Sequence, residues 1–148
     1  MKNNDKILVD LFGKEVELSI LCTGDNQFDE EGDYKEDENF ELLPEEVEYI
    51  QWFVKNVKIE DYRKEITEYC NEQYMGIGED AITEDDLEKE VFIDTIAINI
   101  CELSESNDGW LYPEISFCGE CNCDPEHGIC IGFRDKKFLG IESWDWTL

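Results

Sequence analysis

Positive charge is scarce in this sequence. Its 148 residues include 12 lysines and arginines against 39 aspartates and glutamates, which leaves a formal net charge of −27. So acidic a chain repels the phosphate backbone of nucleic acids and the headgroups of anionic membranes. We therefore expect no nucleic acid and no membrane among its partners, whereas a basic protein would be attracted over a Debye length.

Long apolar runs are also missing. The N-terminus is polar and only a short apolar segment follows it, which predicts neither a signal peptide nor a membrane span and hence a cytoplasmic protein. Seven cysteines at irregular spacing favour reduced thiols over a disulfide framework, because their number is odd.

Signatures of catalysis are absent as well. The sequence has no glycine-rich phosphate loop, no serine nucleophile elbow, no His-Glu-x-x-His motif and no kinase signature, and it holds a single histidine. The prediction is a protein that is not an enzyme and that uses no cofactor, although residues that meet only in three dimensions would escape such a search.

The pattern of apolar residues changes twice along the chain. Alternation predicts a hairpin over residues 7–22 with its turn at Gly13-Lys14, and four further strands at about 91–101, 110–123, 129–133 and 138–141. Between them, helical periodicity predicts one helix from Pro44, with a buried stripe at Val47, Ile50, Val54 and Val57, and another over about 59–75.

These elements predict the α+β class. We expect an antiparallel sheet, made of the N-terminal hairpin and a C-terminal meander, packed against a central helical hairpin in a single domain over residues 1–148. Trp144 and Trp146 have the spacing of a strand and could cover one face of this sheet.

An acidic segment at about 23–43 separates the hairpin from the first helix. From Thr23 to Glu48 the chain carries twelve acidic residues and one lysine, which predicts an exposed loop that is either a solvated charge run or a docking surface for a cationic partner. It matches a calcium-binding loop poorly, because Gln27 stands at the first ligand position. With one tryptophan added as an aromatic anchor, the predicted partner-binding residues are Asp29, Glu30, Glu31, Asp33, Glu36, Asp37, Glu38 and Trp110.

Thiols and the imidazole near the C-terminus offer an alternative zinc site. Side chains alternate along a strand, so Cys118 and Cys130 should point away from the face that carries Cys121 and Cys123, unless Gly119 kinks the strand. Buried free cysteines explain the same residues. The candidate ligands are Cys118, Cys121, Cys123 and His127.

Short segments at both ends of the chain resemble segments of known domains. Residues 123–129, Cys-Asp-Pro-Glu-His-Gly-Ile, with an apolar strand, a charged turn and Asp145 after them, resemble the closing hairpin of small acidic bacterial domains of unassigned function. Leu11-Phe12-Gly13 with Val16 looks like their opening hairpin. The resemblance implies a bacterial origin and an α+β fold without an established activity, and by analogy it suggests toxin and immunity loci.

Three functions remain open at this point. The leading hypothesis is a non-catalytic acidic protein-binding domain, most concretely an immunity protein that neutralises a basic bacterial toxin. The alternatives are a nucleic-acid mimic that inhibits a DNA-binding enzyme, since carboxylates can imitate phosphates, and a zinc-binding protein or enzyme that uses the cluster from Cys118 to Cys130.

Overall fold

The α+β class is confirmed. A computed structural model describes residues 1–101 and 111–147, which form a six-stranded sheet with three α-helices. The strands are β1 (Lys6–Leu11), β2 (Lys14–Cys22), β3 (Val91–Ile98), β4 (Ile115–Cys121), β5 (Ile129–Arg134) and β6 (Lys137–Glu142), and the helices are α1 (Pro44–Asn56), α2 (Arg63–Gly76) and α3 (Leu87–Glu90). None of the helices in the described residues has the length and apolar content needed to cross a membrane.

One parallel pair makes the sheet mixed rather than antiparallel throughout. The strands lie in chain order, and every neighbouring pair is antiparallel except β2 and β3, which run parallel from Ser19↔Thr95 to Cys22↔Ile98. Parallel neighbours need a long crossover connection, and the helical middle of the chain supplies it. The N-terminal hairpin and the C-terminal meander therefore belong to one continuous sheet.

Two tight turns shape the hairpins. Phe12 and Gly13 have φ of 52° and 84°, so the first turn is a two-residue turn one position earlier than predicted. Asp135 and Lys136 have φ of 52° and 62° and join β5 to β6, inside the turn predicted for that place. The loop expected at residues 107–109 lies outside the described residues.

Helix α1 begins at Pro44 as predicted, but its buried stripe is different. Ile50 and Phe53 are buried, as is Val57 directly after the helix ends, whereas the predicted Val47 and Val54 are only half-buried. The ring of Phe53 has its centroid 4.5 Å from that of Phe117 and 5.2 Å from that of Phe133. The helix therefore lies over β4 and β5 with this aromatic ring at its centre, while α2 packs on β6 and α3.

The opposite face of the sheet carries a small second core, which we call the minor core. Ala97, Cys118, Cys130 and Trp146 are its buried members, and Trp144 packs against them. The two tryptophans do cover a sheet face, as predicted, but from a 3-10 turn over Trp144–Thr147 and not from a strand. The indole of Trp146 donates to the carbonyl oxygen of Leu111 at 3.0 Å, which fixes its position.

Candidate protein-binding surface

The acidic loop, residues 23–43, has a defined backbone. It contains a 3-10 turn over Asp25–Gln27 and an antiparallel bridge between Phe28 and Tyr34. Its final residues run beside the N-terminus, because Asn3 N donates to Phe40 O at 2.9 Å and Leu42 N donates to Met1 O at 3.0 Å. At the other end Thr23 N donates to Ile98 O at 2.9 Å, so both ends of the loop are hydrogen-bonded to the rest of the domain.

A buried carboxylate at the start of α1 anchors the loop from inside. Glu46 is fully buried, and its Oε1 accepts hydrogen bonds from Leu43 N and from Asn26 Nδ2, each at 2.8 Å. Its Oε2 accepts from the Cys22 thiol at 3.2 Å. Asn26 in turn accepts from Lys35 Nζ at 2.8 Å, so hydrogen bonds connect the helix to the middle of the loop.

Two asparagines of the N-terminal segment form a second anchor. Asn3 is buried; its Oδ1 accepts from Cys22 N at 2.7 Å and its Nδ2 donates to Glu38 O at 2.8 Å. Asn4 Nδ2 donates to the same carbonyl oxygen at 3.3 Å and to Asn39 Oδ1 at 3.2 Å. The loop backbone is therefore held from both sides while its acidic side chains stay outside.

All seven predicted loop carboxylates are exposed. Asp29 Oδ1 accepts from Glu31 N at 2.9 Å and from Asp33 N at 3.0 Å, which folds the tip of the loop into a tight turn. One carboxylate oxygen each of Asp29, Glu31 and Asp33 then lies within 4.8 Å of the other two. Three like charges at this separation concentrate negative potential on one small area. The eighth predicted residue, Trp110, lies outside the described residues.

An exposed tyrosine lies between these carboxylates in the sequence of the loop. Tyr34 is 71% exposed, and its ring centroid lies 4.9 Å from that of Phe28, so one side of the ring is supported and the rest faces solvent. The sequence interpretation did not single this residue out. An aromatic residue between Asp33 and Lys35, inside a run of acidic residues, was the signal that could have identified it.

Among the described residues, no basic group forms an ion pair with any of the seven predicted loop carboxylates. The ion pairs between described residues involve Glu41 with the N-terminus, Arg63 with two glutamates, and His127 with Asp124. Lys35, the only lysine of the loop, donates to an amide oxygen and lies 4.8 Å over the ring of Phe40. Charge on the loop is therefore available to a partner.

The four candidate zinc ligands are not brought together. Cys118 belongs to the minor core, whereas Cys121 and Cys123 lie in the main core, on the face of the sheet that the helices cover. The Sγ atoms of Cys121 and Cys123 are 3.4 Å apart. The predicted division of these cysteines between the two faces is therefore confirmed. The side chain of His127 is 53% exposed, and its Nδ1 lies 3.0 Å from Asp124 Oδ1. Burial raises the pKa of the Cys118 thiol well above its usual value, which disfavours the thiolate that would bind a metal.

Gly119 does not supply the kink that convergence would need. It stays paired with Ile93 on one side and Ile129 on the other, and the shift in register falls on β3 between Ile93 and Thr95. A Cβ at Gly119 would lie 2.0 Å from the carbonyl oxygen of Phe92. Gly119 therefore allows the backbones of β3 and β4 to approach closely, and it does not change the direction of β4.

Comparison with known proteins gives a family without an assigned activity. Residues 2–148 match the family model described as "Domain of unknown function (DUF6985)". Neither the curated proteins nor the solved structures contain a significant match to the chain.

Proposed function

Because the chain belongs to the DUF6985 family, whose function is unknown, we propose from its own surface that it is a non-catalytic domain that binds a basic protein on the acidic loop. The observation that supports this proposal is the exposed Tyr34 on a loop that also carries seven exposed carboxylates and is anchored to the core by Glu46 and Asn3.

Each part of this arrangement has a separate role in binding. Unneutralised carboxylates attract a cationic partner and raise the rate of association. The ring of Tyr34 can bury a large area in a pocket of the partner at little cost in side-chain entropy, as interface tyrosines do. The anchored backbone reduces the conformational entropy that a mobile loop would lose on binding.

The most concrete partner is a basic bacterial toxin. A nuclease needs a cationic surface to bind phosphates, and a compact acidic loop can occupy that surface in place of the nucleic acid. In this form of the proposal the protein is an immunity protein that neutralises the toxin by covering its substrate site. Small size, a formal net charge of −27 and the absence of catalytic motifs are consistent with it.

Binding to the basic product of a neighbouring toxin reading frame tests the proposal. The loop variant combines Asp29→Asn, Glu31→Gln, Asp33→Asn and Tyr34→Ala. We expect it to bind at least about 100-fold more weakly than the wild type, from loss of a central aromatic anchor and three charges. Association of the wild type should slow markedly between about 0.15 M and 1 M salt.

A matched control removes the same number of charges elsewhere. The exposed side chains of Glu15, Glu17 and Glu120 lie on strands β2 and β4, away from the loop, and their replacement by glutamine should change affinity less than about threefold. Equal losses in the loop variant and the control would show that net charge alone drives association. No binding by the wild type would refute the toxin partner.

A further inference from the structure

A groove lies at the C-terminal end of α2, away from the acidic loop. The helix ends at Gly76, and the chain reverses so that residues 78–82 return along it. Asn71 holds the returning segment, because its Oδ1 accepts from Ile82 N at 2.8 Å and its Nδ2 donates to Ile82 O at 3.1 Å. Between helix and returning segment the groove has a volume of about 600 Å³.

Apolar side chains stand open at this groove. Met75, which lines it, is 75% exposed, and the neighbouring Ile77 is 66% exposed. Ala81 on the returning segment is exposed as well and forms part of the opposite wall. Exposed apolar side chains that adjoin one another in so charged a chain indicate an interaction site, and the flexible thioether of methionine adapts to varied partners.

The rim of the groove is negative. Glu68, Glu72 and Glu79 line it, and no ion pair between described residues involves any of them. Helix α2 has no basic residue in its last turn, so the partial negative charge of its terminal carbonyl groups is not offset by its own side chains. An apolar stripe between carboxylates therefore faces any molecule that enters.

We infer that this groove binds a basic amphipathic helix of a partner protein. Apolar side chains of that helix would enter beside Met75 and Ala81, and its flanking lysines or arginines would contact Glu68 and Glu72. The positions of Glu68, Glu72 and Met75 at i, i+4 and i+7 extend over about 10 Å of α2, which matches two turns of a bound helix.

Charge decides between possible occupants. A second copy of this chain would bring a formal net charge of −27 against the same carboxylates, which opposes self-association through the groove. An acidic or neutral helix would leave the three glutamates uncompensated at the interface. A helix with positive charge on both sides of an apolar stripe would pair with the glutamates of the rim and pack its stripe against Met75 and Ala81.

Methionine NMR gives a direct test on the full chain. The protein has only two methionines, so labelling the methionine methyl groups with ¹³C yields a simple spectrum in which Met75 reports on the groove. The probe is a synthetic peptide of roughly 14 residues, made of leucine and lysine in helical periodicity. We expect the Met75 methyl signal to shift and saturate with this peptide, and a scrambled peptide of identical composition to bind about tenfold more weakly.

Variants show whether the peptide binds in the groove or at another surface. Calorimetry measures peptide binding to the variants, because Met75→Ala removes the methyl group that reports by NMR. Met75→Ala should weaken peptide binding about tenfold, whereas Leu8→Ala, at another exposed apolar position on β1, should change it less than about twofold. The acidic-loop variant should retain peptide binding, which separates this inference from the proposed function. An unmoved Met75 signal at saturation, or equal binding of the scrambled peptide, would overturn the groove as the site. Loss of binding only in the loop variant would overturn it too, while leaving the proposed function intact.

Discussion

Replacing Glu46 by alanine should destabilise the domain and release the acidic loop. The change removes the acceptor for Leu43 N and Asn26 Nδ2. Loss of a helix N-terminal cap costs about 1 kcal/mol. Loss of a hydrogen bond to a charged group costs about 2 kcal/mol, whereas the weak thiol donor of Cys22 adds little. We expect the free energy of unfolding to fall by about 3 kcal/mol, or the melting temperature by roughly 6–12 °C for a domain of this size.

Thermal unfolding and amide hydrogen exchange check the two halves of this prediction. Amides of the acidic loop should exchange faster in Glu46→Ala than in the wild type. Amides of the central strand β4 should remain the more slowly exchanging ones, in the same order as in the wild type. Glu48→Ala, at an exposed position of the same helix, is the control and should change stability by less than about 0.5 kcal/mol. A lower melting temperature with unchanged loop exchange would show that Glu46 caps α1 without holding the loop.

Two further predictions concern the minor core and alkaline solution. Gly132→Ala should lower the free energy of unfolding by about 1–3 kcal/mol, because the added Cβ would lie 2.8 Å from Trp146 Cζ3. Gly140→Ala should lower it less, because its Cβ would come no nearer to Trp146 than 3.5 Å. Urea denaturation of the two variants measures the difference. Burial raises the pKa of Cys22 from 9.0 to about 12 and that of Tyr49 from 10.0 to about 12. Above about pH 9 the unfolded chain therefore loses protons that the folded protein retains, so stability should fall as pH rises toward 12. Urea midpoints at pH 7 and about pH 11 measure this loss; it should be smaller in Cys22→Ala, and an equal loss would contradict the assignment to this thiol.

Local patterns predicted the elements well. Pro44 with the glutamates behind it indicated the start of α1, and the charged residues around Asp135 indicated the β5–β6 turn. The candidate binding loop was predicted with its seven carboxylates, because a run of charge without periodicity is visible in sequence. Tyr34 was missed, since its exposure depends on the bridge that places Phe28 beneath it.

Other features depend on residues far apart in the chain. Glu46 has the sequence signature of a surface residue, and it is buried only because Cys22 and Asn26 fold against it. The groove beside Met75 exists because Asn71 binds Ile82 after the chain has reversed. Neither arrangement has a repeating pattern from which it could be read.

The sequence by itself determined where the strands lie and which faces their residues share, down to the separation of Cys118 and Cys130 from Cys121, although β3 and β4 are shorter than predicted. Side chains along a strand point alternately to the two faces of the sheet, so the face that a residue occupies follows from its position in the strand. Only the tertiary structure decided that β2 lies parallel to β3, because this pairing joins segments separated by the whole helical crossover. Its free energy comes from burial between distant residues, and no local window of sequence contains both partners.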